Sequence, residues 1–76
     1  MKLKISHKDY NKGIISETII RTVKKKEESI YGKYYTLNCG WFVEFDNHFN
    51  RWEITTLKKG EIVGRFEKED IIELNK

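Results

Sequence analysis

The 76-residue sequence predicts a single, mainly β domain, and three observations carry that prediction. First, it contains no alanine, glutamine or proline, while β-branched and aromatic residues fill more than a third of the chain. Alanine is the strongest helix former and the small filler of helix packing, whereas Ile, Val, Thr, Tyr, Phe and Trp suit a pleated, half-buried surface. Second, apolar and polar residues alternate from Gly40 onward with the two-residue period of a strand that buries one face. Third, Asn, Asp and Gly interrupt that alternation where short turns are needed. The expected architecture over residues 1–76 is one small antiparallel barrel or strongly bent sheet of five to six strands, with a short helical turn near residues 67–70.

Leu3 and Ile5 mark a short first strand. The segment from Ile14 to Val23 reads two ways. As a helix it aligns Ile15, Ile19, Ile20 and Val23 on one stripe. As a strand it is rich in Ile, Thr and Val and free of alanine and leucine, and this composition favours the strand. Lys24-Lys25-Lys26-Glu27-Glu28-Ser29 is then expected as an exposed hairpin tip or loop. Tyr34 to Leu37 returns as a strand after a turn at Gly32. Trp41, Val43 and Phe45 alternate with Phe42, Glu44 and Asp46, and Asp46 to Arg51 supplies turn residues that bond to their own backbone. Trp52 to Leu57 follows with Trp52 and Ile54 inward, and Lys58 to Glu61 forms a Gly-containing hairpin loop. Ile62 to Phe66 places Ile62 and Phe66 on one face, with Gly64 between them bending the backbone or making room for a ring. Glu67 to Asp70 reads as one helical turn and Ile71 to Leu74 as a closing strand. A helix from Glu67 to Asn75 is the competing reading.

The order Gly40-Trp41-Phe42-Val43-Glu44-Phe45-Asp46, then Trp52 with Ile54, then a hairpin and Asp70-Ile71-Ile72-Glu73-Leu74, resembles Tudor-like barrels of the Src-homology-3 type. The resemblance covers about residues 12–74. It implies a long first hairpin, a tight meander, one short helical turn and a last strand. It implies architecture only, because small barrels host many unrelated activities.

Composition also bounds the setting. Cys39 is the sole cysteine, so no intrachain disulfide forms, and a reducing interior such as the cytoplasm is the expected compartment. The opening residues carry frequent charges and no apolar run of a signal peptide. No apolar stretch is long enough to span a bilayer, so no membrane partner is expected. The net charge of +3 divides unevenly: residues 1–38 carry nine Lys/Arg against four Asp/Glu, and residues 39–76 carry six against eight. The basic half suits a phosphate backbone or an acidic protein. Lys outnumbers Arg twelve to three, a bias that AT-rich coding produces without any functional cause.

Catalytic chemistry finds little support. The glycines form no phosphate loop, and no Cys-x-x-Cys or His-x-x-x-His pair is present. Glu44, Asp46 and His48 would share a face if their strand ran on through residue 48, but Asp46-Asn47 reads as a turn. Nothing places Cys39 beside His48 as a nucleophile and base. Glu67, Glu69 and Asp70 surround a polar turn, where carboxylates face water. The expectation is a protein without enzymatic activity, cofactor or metal.

The ten aromatic residues exceed what so small an interior hides. Trp41, Phe45, Trp52 and Phe66 share the inward register, whereas Tyr31, Tyr34, Phe42 and Phe49 fall outside it or in turns. Tyr34, Phe42, Phe49 and Arg51 are therefore the expected partner-binding patch, with Lys24, Lys25 and Lys26 steering the encounter. The expected function is that of a small regulatory or inhibitory protein bound to a larger macromolecule. A phage or mobile-element protein that blocks a host nucleic-acid enzyme fits this size and composition. The alternative is a nucleic-acid-binding barrel whose rings stack on bases while the basic half follows the backbone. Self-association through edge strands is a further expected route to partners.

Overall fold

A sixteen-residue strand dominates the computed structural model, which describes residues 1–9 and 14–74. The elements are β1 (Lys2–Asp9), β2 (Ile14–Ser29), β3 (Gly32–Leu37), β4 (Trp41–Asp46), β5 (Arg51–Thr56), β6 (Ile62–Phe66), a 3-10 turn η1 (Lys68–Asp70) and β7 (Ile71–Leu74). They form one seven-stranded sheet in the order β6-β5-β4-β3-β2-β1-β7, antiparallel throughout. The long strand β2 pairs with β1 as far as Thr22 and with β3 from Val23 onward. A register shift between Val23 and Lys25 marks the change of partner. Such a shift bends a strand and strengthens its twist, so the sheet curls into a half-barrel around its own inner face.

Alternate residues of that face fill the core. Leu3 and Ile5 come from β1, Tyr35 and Leu37 from β3, Val43 and Phe45 from β4, and Trp52 and Ile54 from β5. Phe66 and Ile71 complete the cluster, with Ile19, Val23 and Trp41 packed at its margin. Fully burying one such side chain contributes about 1.5–3 kcal/mol. Trp52 lies at the centre of the rings, edge-on to Phe45 at 4.9 Å and tilted against Tyr35 at 5.8 Å. Its indole N–H donates to the Lys68 carbonyl at 3.0 Å, which pins η1 to the core. The turn in turn delivers β7 to the free edge of β1, where Lys2 pairs with Leu74. Among the described residues, no helix is long and apolar enough to cross a membrane.

Several expectations need correction. The sheet has seven strands where five to six were expected. The segments around Leu3–Ile5 and Ile71–Leu74, each expected as a short strand, pair with each other and both belong to the one sheet. Residues 24–29 are strand and not a loop. The Lys/Glu run is compatible with this because alternate residues share a face, so Lys25 pairs with Glu27 at 2.7 Å and Lys26 with Glu28 at 3.1 Å. The hairpin instead turns at Ile30-Tyr31, between the paired Ser29 and Gly32. Ile62 does not share the inward face with Phe66. A register shift between Ile54 and Thr55 sets Ile62 opposite Thr55 on the outer side, exposed, while Phe66 is buried. Gly64 does make room for a ring: a Cβ there would lie 3.1 Å from the Phe66 side chain. The segment from Ile14 is a strand, and residues 67–74 form the helical turn and closing strand, not one helix; Asn75 lies outside the described residues.

Candidate protein-docking groove

The outer face of β3, β4 and β5 collects the side chains that the core excludes. Directly opposed residues of antiparallel strands project to the same side. Tyr34 therefore neighbours Glu44, which neighbours Glu53, and in the next row Thr36, Phe42 and Thr55 align. The Tyr34 and Phe42 rings stack with centroids 6.1 Å apart and planes 16° from parallel.

The two hairpins at one end of this face extend it into a groove. In the β4–β5 turn, the Asp46 carboxylate accepts hydrogen bonds from the His48 N–H at 2.7 Å and the Phe49 N–H at 3.3 Å. The Asn50 N–H donates to the Asp46 carbonyl at 2.7 Å, and Asn50 takes a left-handed φ of 56°, a conformation that Asn tolerates. This Asp/Asn chemistry lifts Phe49 to the rim, 62% exposed, with the Arg51 guanidinium 5.1 Å from its ring centroid. Across from it, the β2–β3 turn presents Ile30 and Tyr31, 84% and 72% exposed. Asn47 braces one turn against the other: its backbone N–H donates to the Tyr31 carbonyl at 3.0 Å and its side-chain amide to the Ile30 carbonyl at 3.2 Å. Between the turns lies a groove of about 500 Å³, floored by Tyr34 and Glu44. A smaller hollow of about 240 Å³ continues past Phe49 toward Arg51 and Arg65.

Glu44 is the electrostatic centre of this groove. Burial pushes its carboxyl above the usual range, and the neighbouring Asp46 and Glu53 push it further. Asp46 is engaged by the turn amides and Glu53 by the Arg65 guanidinium at 2.9 Å. Glu44 makes no hydrogen bond or ion pair with the described residues. A partly desolvated, unpaired carboxylate between aromatic rings favours a cation, which both the charge and the ring faces attract.

Of the residues expected from sequence, the structure brings Tyr34, Phe42, Phe49 and Arg51 onto this one face. The three lysines are not gathered there. Lys25 projects on the outer side from β2, opposite Thr36, and is held by Glu27. Lys26 faces the other way, over the Tyr35 ring at 5.6 Å, and is held by Glu73 at 2.8 Å. Lys24 lies at the register shift, exposed. Ile30, Tyr31, Asn47 and Glu44 were missing from the expected patch. The adjacent apolar pair Ile30-Tyr31, directly before Gly32 and after a charged run, is the signal that would have exposed a hairpin tip.

The geometry offers no catalytic pair in Cys39 and His48. Cys39 sits in the turn before β4 and His48 in the turn after it, so the six residues of β4, about 20 Å of extended chain, separate them. Asp46 ends β4, which breaks the alternation that would have aligned Glu44 and His48. Among the described residues, no three His, Cys, Asp or Glu are grouped to hold a metal ion. No protein-family model matches this chain, and neither does any curated protein or any solved structure.

Proposed function

We propose that the chain is a non-catalytic regulatory or inhibitory module that docks onto a larger protein through the groove between its β2–β3 and β4–β5 turns. The observation that carries this reading is the exposure of Ile30, Tyr31 and Phe49 on two turns that Asn47 holds together. Large apolar side chains kept exposed on a braced scaffold form a low-entropy docking surface, since little ordering remains for the moment of binding. Tyr and Arg, both present at the rim, are among the residues that dominate interface energies. Glu44 suits a partner that inserts a Lys or Arg side chain among the rings.

A phage or mobile-element inhibitor of a host nucleic-acid enzyme remains the biological setting that best fits the size and composition. The topology supports a Tudor-like architecture, because a 3-10 turn brings the last strand to the edge of the first. Direct nucleic-acid binding draws less support at this groove. Glu44 and Asp46 line the space that a phosphate backbone would enter.

Site-specific photocrosslinking tests the proposal. A benzophenone side chain at position 49 should give an adduct with a larger protein in lysate of the source organism, and the same group at Leu57, on the distant β5–β6 turn, should not. Equal labelling from both positions, or none from position 49, would remove the groove as the docking site.

A further inference from the structure

We infer that the outer face of β7, residues 2–6 of β1 and residues 18–22 of β2 is a second docking surface, and that its occupant is an extended acidic segment of a protein partner. The register fixes the composition of this face. Leu3 and Ile5 point into the core, so Lys2, Lys4 and Ser6 point out. Lys4 is flanked in its row by Ile20 of β2 and Ile72 of β7, and Lys2 by Thr22 and Leu74. Ile20 is 50% exposed and Ile72 48%. Neither lysine forms an ion pair with the described residues, and no carboxylate occurs among the described side chains of this face. That sets it apart from the outer face of β3–β5 and the adjoining end of β2, where Glu27, Glu44, Asp46 and Glu53 project.

Charge and spacing select the occupant. Lys2 and Lys4 stand two residues apart on one strand, about 7 Å, and carboxylates at alternate positions of an extended chain repeat at the same interval. The methylene stems of those acidic side chains would pack on Ile20 and Ile72, which flank Lys4 on either side. A lipid surface fits less well. There the cations should ring an apolar centre, so that they reach the headgroups, whereas Lys4 stands between its two isoleucines. A nucleic acid would set phosphates against bare aliphatic groups on a face whose described side chains offer no ring for stacking.

A peptide-display selection on the intact chain tests the inference, with Lys4→Glu, Lys4→Gln and the groove variant Tyr31→Ser/Phe49→Ser as comparison proteins. Each variant is first confirmed as folded by circular dichroism. The expected result is a class of peptides with Asp or Glu at alternate positions. Their affinity should fall about tenfold or more with Lys4→Glu, less with Lys4→Gln, and not at all with the groove variant. The inference is overturned if no acid-enriched class emerges, or if that class binds Lys4→Glu unchanged. It is likewise overturned if Lys4-dependent binding appears only with anionic phosphatidylserine vesicles or a DNA oligonucleotide assayed in parallel. Dimerisation of the wild-type chain that Lys4→Glu abolishes, seen by size-exclusion chromatography, would assign the face to a second copy instead.

Discussion

The Tyr35 hydroxyl donates a hydrogen bond to the Glu73 carboxylate, so the most deeply buried ring of the core is tied to the last strand of the sheet. Lys26 donates to the same carboxylate oxygen, and the three side chains clasp β2, β3 and β7 at one mouth of the half-barrel. Tyr35→Phe should retain the ring packing and lose the clasp, at a cost of about 1–2 kcal/mol. Tyr35→Ala should cost about 3–5 kcal/mol, because it also opens a cavity. Urea denaturation of the two variants separates these contributions.

The same clasp makes stability depend on pH. Hydrogen bonds from Lys26, then from Tyr35, hold the Glu73 carboxyl below its ordinary value of 4.5. A depressed folded value means that this contribution is present above pH 4.5 and is lost as pH falls through the folded value. Burial foremost, then the Glu73 carboxylate, pushes the Tyr35 phenol above its ordinary value of 10.0. That contribution is present below pH 10.0 and is lost as pH rises beyond it. Glu73→Gln should therefore flatten part of the acid limb of a melting-temperature profile, and Tyr35→Phe part of the alkaline limb. Unchanged slopes in both variants would dismiss the clasp as a source of stability.

Glu44 should behave in the opposite sense. Its raised folded value means that the ionised form is disfavoured in the fold, so Glu44→Gln should stabilise the protein above the ordinary carboxyl value of 4.5 and have little effect below it. The gain should stay under about 1 kcal/mol, because water screens a partly exposed charge. Partner binding should weaken in the same variant, a combination that marks a carboxylate kept for recognition. Thermal melts at pH 7 and pH 4 measure the first effect, and adduct yield from position 49 the second.

Asn47→Ala should leave the fold nearly intact, losing at most about 1.5 kcal/mol with the exposed side-chain bond to Ile30. Crosslinking through position 49 should drop more than this suggests, because the two turns would have to be ordered during binding. Faster amide exchange confined to the Ile30-Tyr31 and Asn47–Asn50 turns would report the loosened brace.

Gly32→Ala should be severely destabilising. A Cβ at this position would sit 1.9 Å from the Phe45 carbonyl oxygen, so β3 and β4 could not keep their spacing. The expected loss is above about 3 kcal/mol, through displaced backbone rather than through φ. Gly64→Ala meets only the Phe66 ring and should cost less, as paired urea titrations would show.

Period and composition made the strands legible because both report directly on which side chains face inward. Trp41, Val43 and Phe45 alternate with Phe42, Glu44 and Asp46, and the inward register of Trp52 and Ile54 follows in the same way. What escaped was set by pairing between distant segments. The Lys/Glu run of β2 looks like a solvated loop until β3 supplies its ladder. Ile62 looks inward until a register shift turns it out. At the groove, the aromatic half was legible because rings out of register have nowhere to hide. The Asn47 brace and the isolation of Glu44 depend on two turns that meet only in the folded chain.

The ladder between Lys2 and Leu74 has a kinetic consequence. It joins segments from opposite ends of the described chain, so forming it requires the largest loop closure in the protein, and such non-local pairings slow folding. During synthesis β7 follows every other strand, and until it arrives β1 lacks one neighbour and Ile71 is absent from the core. A nascent chain must therefore wait for β7 before the interior can seal, and a stop near Phe66 would leave an open, adhesive sheet.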